Sequence, residues 1–316
     1  MHPCRDLHLH LAVSATAVLF FSASVILSAV PAARAQQETG TMNSVTLRRS
    51  IHPFIDIIPN SPLPSCLMSV AEHEEEFSYS PDAENGPAHW GQIKAEWSAC
   101  GNGEMQSPID LAGPRVTLVR RLGHLNHSYA PANASVVNRG HDIMVRFEGD
   151  AGSVSIDGTA YHLRQLHWHA PTEHSVNGRR YDMELHMVHQ SAKNKTAVIG
   201  VFYEIGARDA FLHKLEPYLE MIAKQPEREE KVGVVDARGA RGRASVYYRY
   251  VGSLTTPPCT QGVIWTIVKR VRTVSRHQLE LLREAVHDEM EKNARPRQEV
   301  NNRDINMFWP IQQNKH

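Results

Sequence analysis

Alternation of apolar and polar positions becomes regular from Phe77 onward. It recurs in Ile143-Met-Val-Arg-Phe147, Val154-Ser-Ile156, Ala197-Val-Ile-Gly-Val-Phe202 and Gly262-Val-Ile-Trp-Thr-Ile-Val268, with Gly and Asn between the runs. Runs of this period and length predict strands. Two stretches follow a helical period instead. Asp209 caps a segment with Leu212, Leu215, Leu219 and Ile222, broken by Pro217. Ser275 and Gln278 form a capping box ahead of Leu279, Leu282, Val286 and Met290. The pattern is mainly β with peripheral helices.

The N-terminal part reads differently. Leu11 to Val30 is a long apolar run, preceded by Arg5 and followed by Ala33-Arg-Ala35. A basic start, an apolar stretch and small residues at an A-x-A site predict a signal peptide over residues 1–35, cleaved after Ala35. The run is long enough to span a bilayer, but its Ala and Ser content and the cleavage site favour removal, leaving no membrane segment. Residues 36–71 carry Pro, Ser and scattered apolar positions without period, which predicts a disordered linker. The globular domain is assigned to residues 72–316, opening on the solvated acidic run Glu72-His-Glu-Glu-Glu76.

With 34 basic and 34 acidic residues and 41% hydrophobic positions, the composition is that of an ordinary globular protein. Balanced charge offers no footprint for nucleic acid or an anionic membrane. Nineteen histidines are many, and a site uses only a few of them.

Three of them have spacing that builds a metal site. In a strand, His167 and His169 of Gln-Leu-His-Trp-His point to one face. Asn177-Gly178 then predicts a two-residue hairpin turn. If that turn sets the register, Val176 pairs with Arg179, paired positions sum to 355, and His169 falls opposite His186. Opposite residues share a face, about 5 Å apart at Cβ. Three neutral imidazoles with an open fourth position are the ligand set of a catalytic zinc (Zn2+) centre, whereas structural zinc sites are closed by four protein ligands. Gln165 and Glu184 each lie two positions before a ligand on the same face, where a ring N–H finds its acceptor. Isolated, both would read as solvated strand residues.

Gln165-Leu-His-Trp-His169, Glu173-His174, Glu184-Leu-His186-Met-Val-His189 and Ser253-Leu-Thr-Thr-Pro-Pro258 together resemble the α-class carbonic anhydrases. Tyr248-Arg-Tyr250 and His189-Gln-Ser191 are similar to plant-type members. The resemblance runs from about Phe77 to Trp309 and includes Asn85-Gly-Pro-Ala-His-Trp90, Gln106-Ser-Pro-Ile-Asp110 and Asn293-Ala-Arg-Pro296. It implies a single domain with a large, twisted, mostly antiparallel central sheet and peripheral helices. It also implies reversible hydration of carbon dioxide to bicarbonate and a proton through a zinc-bound hydroxide. Zinc lowers the pKa of its water to about 7, carbonic anhydrases being the reference case for this effect.

The resemblance assigns further roles. Thr255 orients the nucleophile and passes its own proton to Glu173. Val188, Val198, Leu254, Val263 and Trp265 wall the substrate, and Thr256 contacts bicarbonate through solvent. His141 is the proton shuttle, with Tyr79 and Asn138 ordering the waters. Cys100 and Cys259 match the disulfide of secreted members, anchoring the loop of Thr255; Cys4 leaves with the signal and Cys66 is left over. Asn126-His-Ser, Asn133-Ala-Ser and Asn194-Lys-Thr become glycosylation acceptors on export. The destination is the secretory route and the extracellular space, or alternatively the chloroplast. Ala170-Pro171-Thr172 replaces a longer excursion of animal members and shortens one rim of the site.

Two alternatives accompany this reading. His167-x-His169 followed by Glu173 imitates a cupin metal motif, but Tyr161 stands where a cupin needs glycine and Met183-Glu-Leu precedes the further histidine. Some plant relatives serve in storage, nectar or defence without catalysis. The ligands His167, His169 and His186, with Glu173 and Thr255, are all retained here.

Overall fold

A computed structural model describes residues 76–242, 245–286 and 290–310. The signal and linker segments, Cys4 and Cys66 lie outside these residues. Twelve strands form one sheet. They are β1 (Val116–Leu118), β2 (Asn126–His127), β3 (Ala132–Asn138), β4 (Ile143–Glu148), β5 (Ser153–Ile156) and β6 (Thr159–His169), then β7 (Met183–Ser191), β8 (Thr196–Ile205), β9 (Glu229–Val235), β10 (Tyr247–Ser253), β11 (Gln261–Val274) and β12 (Ile305–Phe308). Their order is β1-β12-β10-β11-β8-β7-β6-β4-β3-β9, with β5 beside β6 and β2 beside β5. Only β1/β12 and β8/β11 are parallel, so the sheet is mostly antiparallel as expected.

The middle of the sheet is covered on both faces. The larger core takes Leu166, Trp168, Leu185, Met187, Ile199 and Val201. A smaller one on the opposite face takes Val198, Tyr250, Trp265 and Ile267. Double coverage explains why Ala197–Phe202 is buried at every position rather than at alternate ones. In β6 the pairing slips at Arg164, between Leu163 and Gln165. One extra residue reverses the facing of what precedes it. Tyr161 and Leu163 therefore join Leu166 and Trp168 in the larger core.

The two helical segments form with their caps. Asp209 Oδ1 accepts from the N–H groups of Phe211 and Leu212, and Pro217 divides the segment into Ala210–His213 and Glu216–Ile222. Ser275 and Gln278 make the reciprocal capping box of Arg276–Ala285. This helix stops before Val286 and Met290, which the period had included. The Asn138 side chain and the Lys224 N–H both donate to the Ala285 carbonyl, and Val286 turns to an extended conformation. Val286 and Met290 are buried all the same.

Cys100 and Cys259 are joined as a disulfide across 159 positions, tying helix Ala99–Asn102 to the loop after β10. Closing a loop of this length restricts the unfolded chain strongly. Replacing both cysteines by serine is expected to cost about 3 kcal/mol of stability. Urea midpoints of the two proteins check this, and equal midpoints would mean that the bridge is energetically idle. Among the described residues no helix is long and apolar enough to cross a membrane.

Candidate metal centre

Asn177 and Gly178 both take positive φ, 50° and 79°, and Val176 and Arg179 exchange hydrogen bonds across them. The turn is thus the expected one, but it does not set the register of the strands. From Gln165 onward the β6/β7 pairs sum to 353: His167 lies opposite His186, and His169 opposite Glu184. The expected His169–His186 pairing is corrected by two positions. Thr172 and Tyr181 already follow the strand register, through the Thr172 N–H to the Tyr181 carbonyl. The excess lies in Glu173-His174-Ser175, which faces Arg180 alone. Ser175 leaves the hairpin to exchange backbone bonds with Ile109 and Leu111. A slip of two preserves the facing of every side chain, whereas a slip of one would reverse it. The three histidines consequently still converge.

Their rings lie 4.6–5.1 Å apart, centroid to centroid. Each ring commits one nitrogen to an acceptor. His167 Nδ1 donates to Gln165 Oε1 at 2.8 Å, His169 Nδ1 to the Asn293 carbonyl at 2.6 Å, and His186 Nε2 to Glu184 Oε1 at 3.0 Å. With those protons assigned, three lone pairs remain: His167 Nε2, His169 Nε2 and His186 Nδ1. One nitrogen of each histidine lies within 4.8 Å of the others. His167 Nε2 and His186 Nδ1 are 3.2 Å apart. Tetrahedral zinc with bonds of 2.0–2.1 Å sets ligand nitrogens about 3.3 Å apart. His169 Nε2 is buried and has no hydrogen-bond partner among the described residues. Two facing acceptors and an orphaned third fit a cation between them.

The electrostatics agree. Burial, with the neighbouring imidazoles, holds His167 well below and His169 below the ordinary imidazole pKa, against the pull of Asp142 and Glu173. Neutral imidazole is the ligand form. Burial also disfavours charge on His186, but the Glu184 carboxylate and its hydrogen bond outweigh this and raise that pKa. A cation at Nδ1 would take that proton's place. Burial alone would push the Glu184 carboxyl up; His174 and His186 reverse this and hold it well below the usual range.

Behind the three histidines stand residues to which sequence reasoning attached no role. His174 donates to Glu184 through its ring at 2.8 Å and its backbone at 2.9 Å, and accepts from the Tyr250 hydroxyl at 2.6 Å. Ser107 lies 2.8 Å from that hydroxyl. Asn293 serves the neighbourhood of His169 at four points. Its carbonyl takes the His169 proton, its Oδ1 accepts from the Ala170 N–H, and its Nδ2 donates to the carbonyls of His141 and Trp168. His174, Tyr250, Ser107 and Asn293 all sat in recognisable motifs, but nothing in local spacing shows what they bond. Gly200 lies opposite His186; a Cβ there would come within 2.9 Å of Glu184 Oε1 and 2.6 Å of Ile267 Cδ1.

The remaining expected residues gather unevenly. Glu173 is fully buried; its Oε1 accepts from the Arg295 N–H at 2.9 Å. Its Oε2 lies 3.7 Å from His169 Nε2 and has no hydrogen-bond partner among the described residues. Thr255 and Thr256 sit in the disulfide-anchored loop, Thr255 buried and Thr256 half-buried. Val188, Val198 and Trp265 form one row across β7, β8 and β11, next to His186, whose ring is 4.8 Å from Trp265. Val263 and Leu254 pack in the same smaller core. His141 is buried at 0% exposure, on Phe77 at 5.4 Å between ring centres and 3.7 Å from Asp142. Asn138 commits its amide to backbone, bonding Ile222, Ala285 and Gly140 around the turn that carries His141. Tyr79 is buried against Phe77 and Trp90. Asn126, Asn133 and Asn194 are all exposed.

Fold and site together define a protein of one large twisted sheet with three clustered histidines that could hold a metal ion. The chain belongs to the family described as eukaryotic-type carbonic anhydrase, whose model matches residues 85–308. Alpha carbonic anhydrase 7 of Arabidopsis thaliana is 52% identical over 240 residues, covering 76% of this chain and 87% of that protein. Dioscorin dioA3 of Dioscorea japonica is 42% identical over 252 residues, covering 80% and 93%. Among solved structures, a dioscorin complexed with ascorbate superposes with a TM-score of 0.74 at 42% identity, over 75% of this chain and all of that one. The α-carbonic anhydrase of Thermovibrio ammonificans, solved with sulfanilamide, gives 0.66 at 35% identity, over 73% and 98%. Family membership sets aside the cupin-like alternative.

Proposed function

We propose that this chain is a zinc enzyme that hydrates carbon dioxide reversibly to bicarbonate and a proton. One observation carries the reading: three buried imidazoles turn lone pairs toward one another while the opposite nitrogen of each is bonded away. His167, His169 and His186 would hold the ion. Zinc in such a setting supplies Lewis acidity that makes a water nucleophilic near pH 7.

The chain's own residues supply the rest. Gln165, Glu184 and the Asn293 carbonyl fix ring angle and tautomer. Thr255 would give its proton to Glu173 Oε2, an oxygen that it does not bond in this structure, and so would present only acceptor lone pairs, admitting a nucleophile that carries a proton. The Arg295 N–H on Oε1 leaves Oε2 for that task. Val188, Val198, Leu254, Val263 and Trp265 offer an apolar wall to an apolar substrate, and Thr256 contacts bicarbonate. Residues 1–35 act as an export signal and residues 36–71 as a linker, delivering the domain to the secretory route or onward to the chloroplast.

Proton export falls to His141, with Tyr79 and Asn138 beside its path. Its buried ring must swing outward to reach buffer. His141→Ala is expected to lower kcat about tenfold in weak buffer, with rescue by imidazole and kcat/KM nearly unchanged, because export follows the carbon chemistry. Stopped-flow traces at two buffer strengths check this; an equal fall in both parameters removes His141 from the relay.

The dioscorin similarity favours a second reading, a storage or defence protein without catalysis. Stopped-flow carbon dioxide hydration together with zinc analysis separates the two. Hydration with about one zinc per chain supports the enzyme; bound zinc without hydration supports the storage reading.

A further inference from the structure

Strand β9 ends the sheet order and pairs, among the described residues, with β3 only. An open strand edge bearing apolar side chains is a template for pairing with another chain. Val234 on this strand is 69% exposed, the most exposed large hydrophobic side chain among the described residues. Its direct partner across the ladder is Asn133. On its other side Asn133 faces Glu148. Directly opposite residues share a face at about 5 Å between Cβ atoms. All three are exposed, so Glu148, Asn133 and Val234 stand side by side toward solvent. Asn133 is also the first residue of Asn-Ala-Ser.

We propose that Asn133 carries an N-linked glycan whose first sugar lies over Val234 and shields that side chain beside the open edge of β9. The C–H face of a pyranose suits the valine methyl groups, and its hydroxyls face water. The other two acceptors lack such a neighbour. Asn126 pairs with Ser155, and Asn194 sits at φ 57° in the tight turn between β7 and β8. In the folded chain Ser135 is buried and its hydroxyl donates to Glu148 at 3.2 Å. Attachment therefore takes place before β3 is laid down, during translocation. The proposal rests on the reading that the chain is exported.

The test uses the full-length chain with its own N-terminus, secreted from a plant cell line. Peptide mass spectrometry after glycosidase release in heavy-oxygen water reports occupancy at Asn126, Asn133 and Asn194. Thermal unfolding and light scattering then compare the native protein with Asn133→Gln, Val234→Thr and the double variant. Asn133 is expected to be occupied. Its loss should lower Tm by about 2 °C and raise self-association, and the loss should have no effect where Val234 is already threonine. Asn126→Gln and Asn194→Gln should move neither readout. Should Asn133→Gln fail to be secreted, glycosidase treatment of the folded native protein gives the same comparison. Glycan at Asn126 or Asn194 with Asn133 bare overturns the proposal and leaves export standing. So does an effect of Asn133→Gln that is the same with and without Val234. A chain retaining Met1 and bare at all three sites overturns export and this proposal together.

Discussion

His186→Ala is expected to abolish zinc binding and carbon dioxide hydration together. The variant removes the nitrogen that faces His167 at 3.2 Å and leaves two ligands. It also takes one of three donors from the buried Glu184 carboxylate, leaving the His174 ring and backbone. Uncompensated charge inside a protein is costly, so stability should fall as well. The native protein stripped by a chelator separates the two effects, because it loses only the linkage stabilisation that a bound metal provides. Metal content by mass spectrometry, hydration rate and Tm on the three samples form the measurement. Removal of an acceptor rather than a ligand should be milder: Glu184→Gln or Gln165→Leu is expected to weaken zinc affinity about 10- to 100-fold. Stoichiometric zinc in His186→Ala would refute the ligand set.

Unsubstituted sulfonamides are expected to bind at least about tenfold more tightly than N-substituted ones. Bound as its N-anion, an unsubstituted sulfonamide keeps one N–H. That proton has an acceptor only if the Thr255 hydroxyl has given its own proton elsewhere. Glu173 is the proposed recipient: it is fully buried, one oxygen accepts from the Arg295 N–H, and the other is unpartnered among the described residues. A lost buried hydrogen bond costs about 1–3 kcal/mol, roughly 5- to 150-fold, a range that includes the expected discrimination. Thr255→Ala should collapse the difference between the two inhibitor classes and slow hydration. Glu173→Gln should narrow it, because an amide can also donate to the threonine oxygen and permit the wrong orientation. Inhibition constants for one matched pair on the three proteins are sufficient. Equal affinity of the native protein for both classes would dismiss the Thr255–Glu173 gate without touching the histidines.

The register of β6 and β7 shows how far local pattern reaches. Asn177-Gly178 identified the turn, and the strand period identified the face. The offset between turn and strand was invisible. It arises because Ser175 pairs with Ile109 and Leu111, a segment more than sixty positions upstream. No hairpin rule contains that partner. The end of helix Arg276–Ala285 is a similar case: its period continues to Met290, but bonds from Asn138 and Lys224 occupy the last carbonyl.

The sequence by itself determined which side chains share a face, where helices are capped and which chemistry three imidazoles and two cysteines can perform. Those properties follow from backbone period and side-chain type, which act over a few residues. Only the tertiary structure decided which nitrogen of each histidine is left for a metal. That depends on the Asn293 carbonyl, 124 positions from His169, and on the Ser107–Tyr250–His174–Glu184 line behind His186. It likewise decided that His141 starts from a buried position and that Asn133 stands beside Val234. Hydrogen-bond acceptors and neighbours on a sheet are chosen by contact in space, and the strand order that brings them together is a property of the whole core.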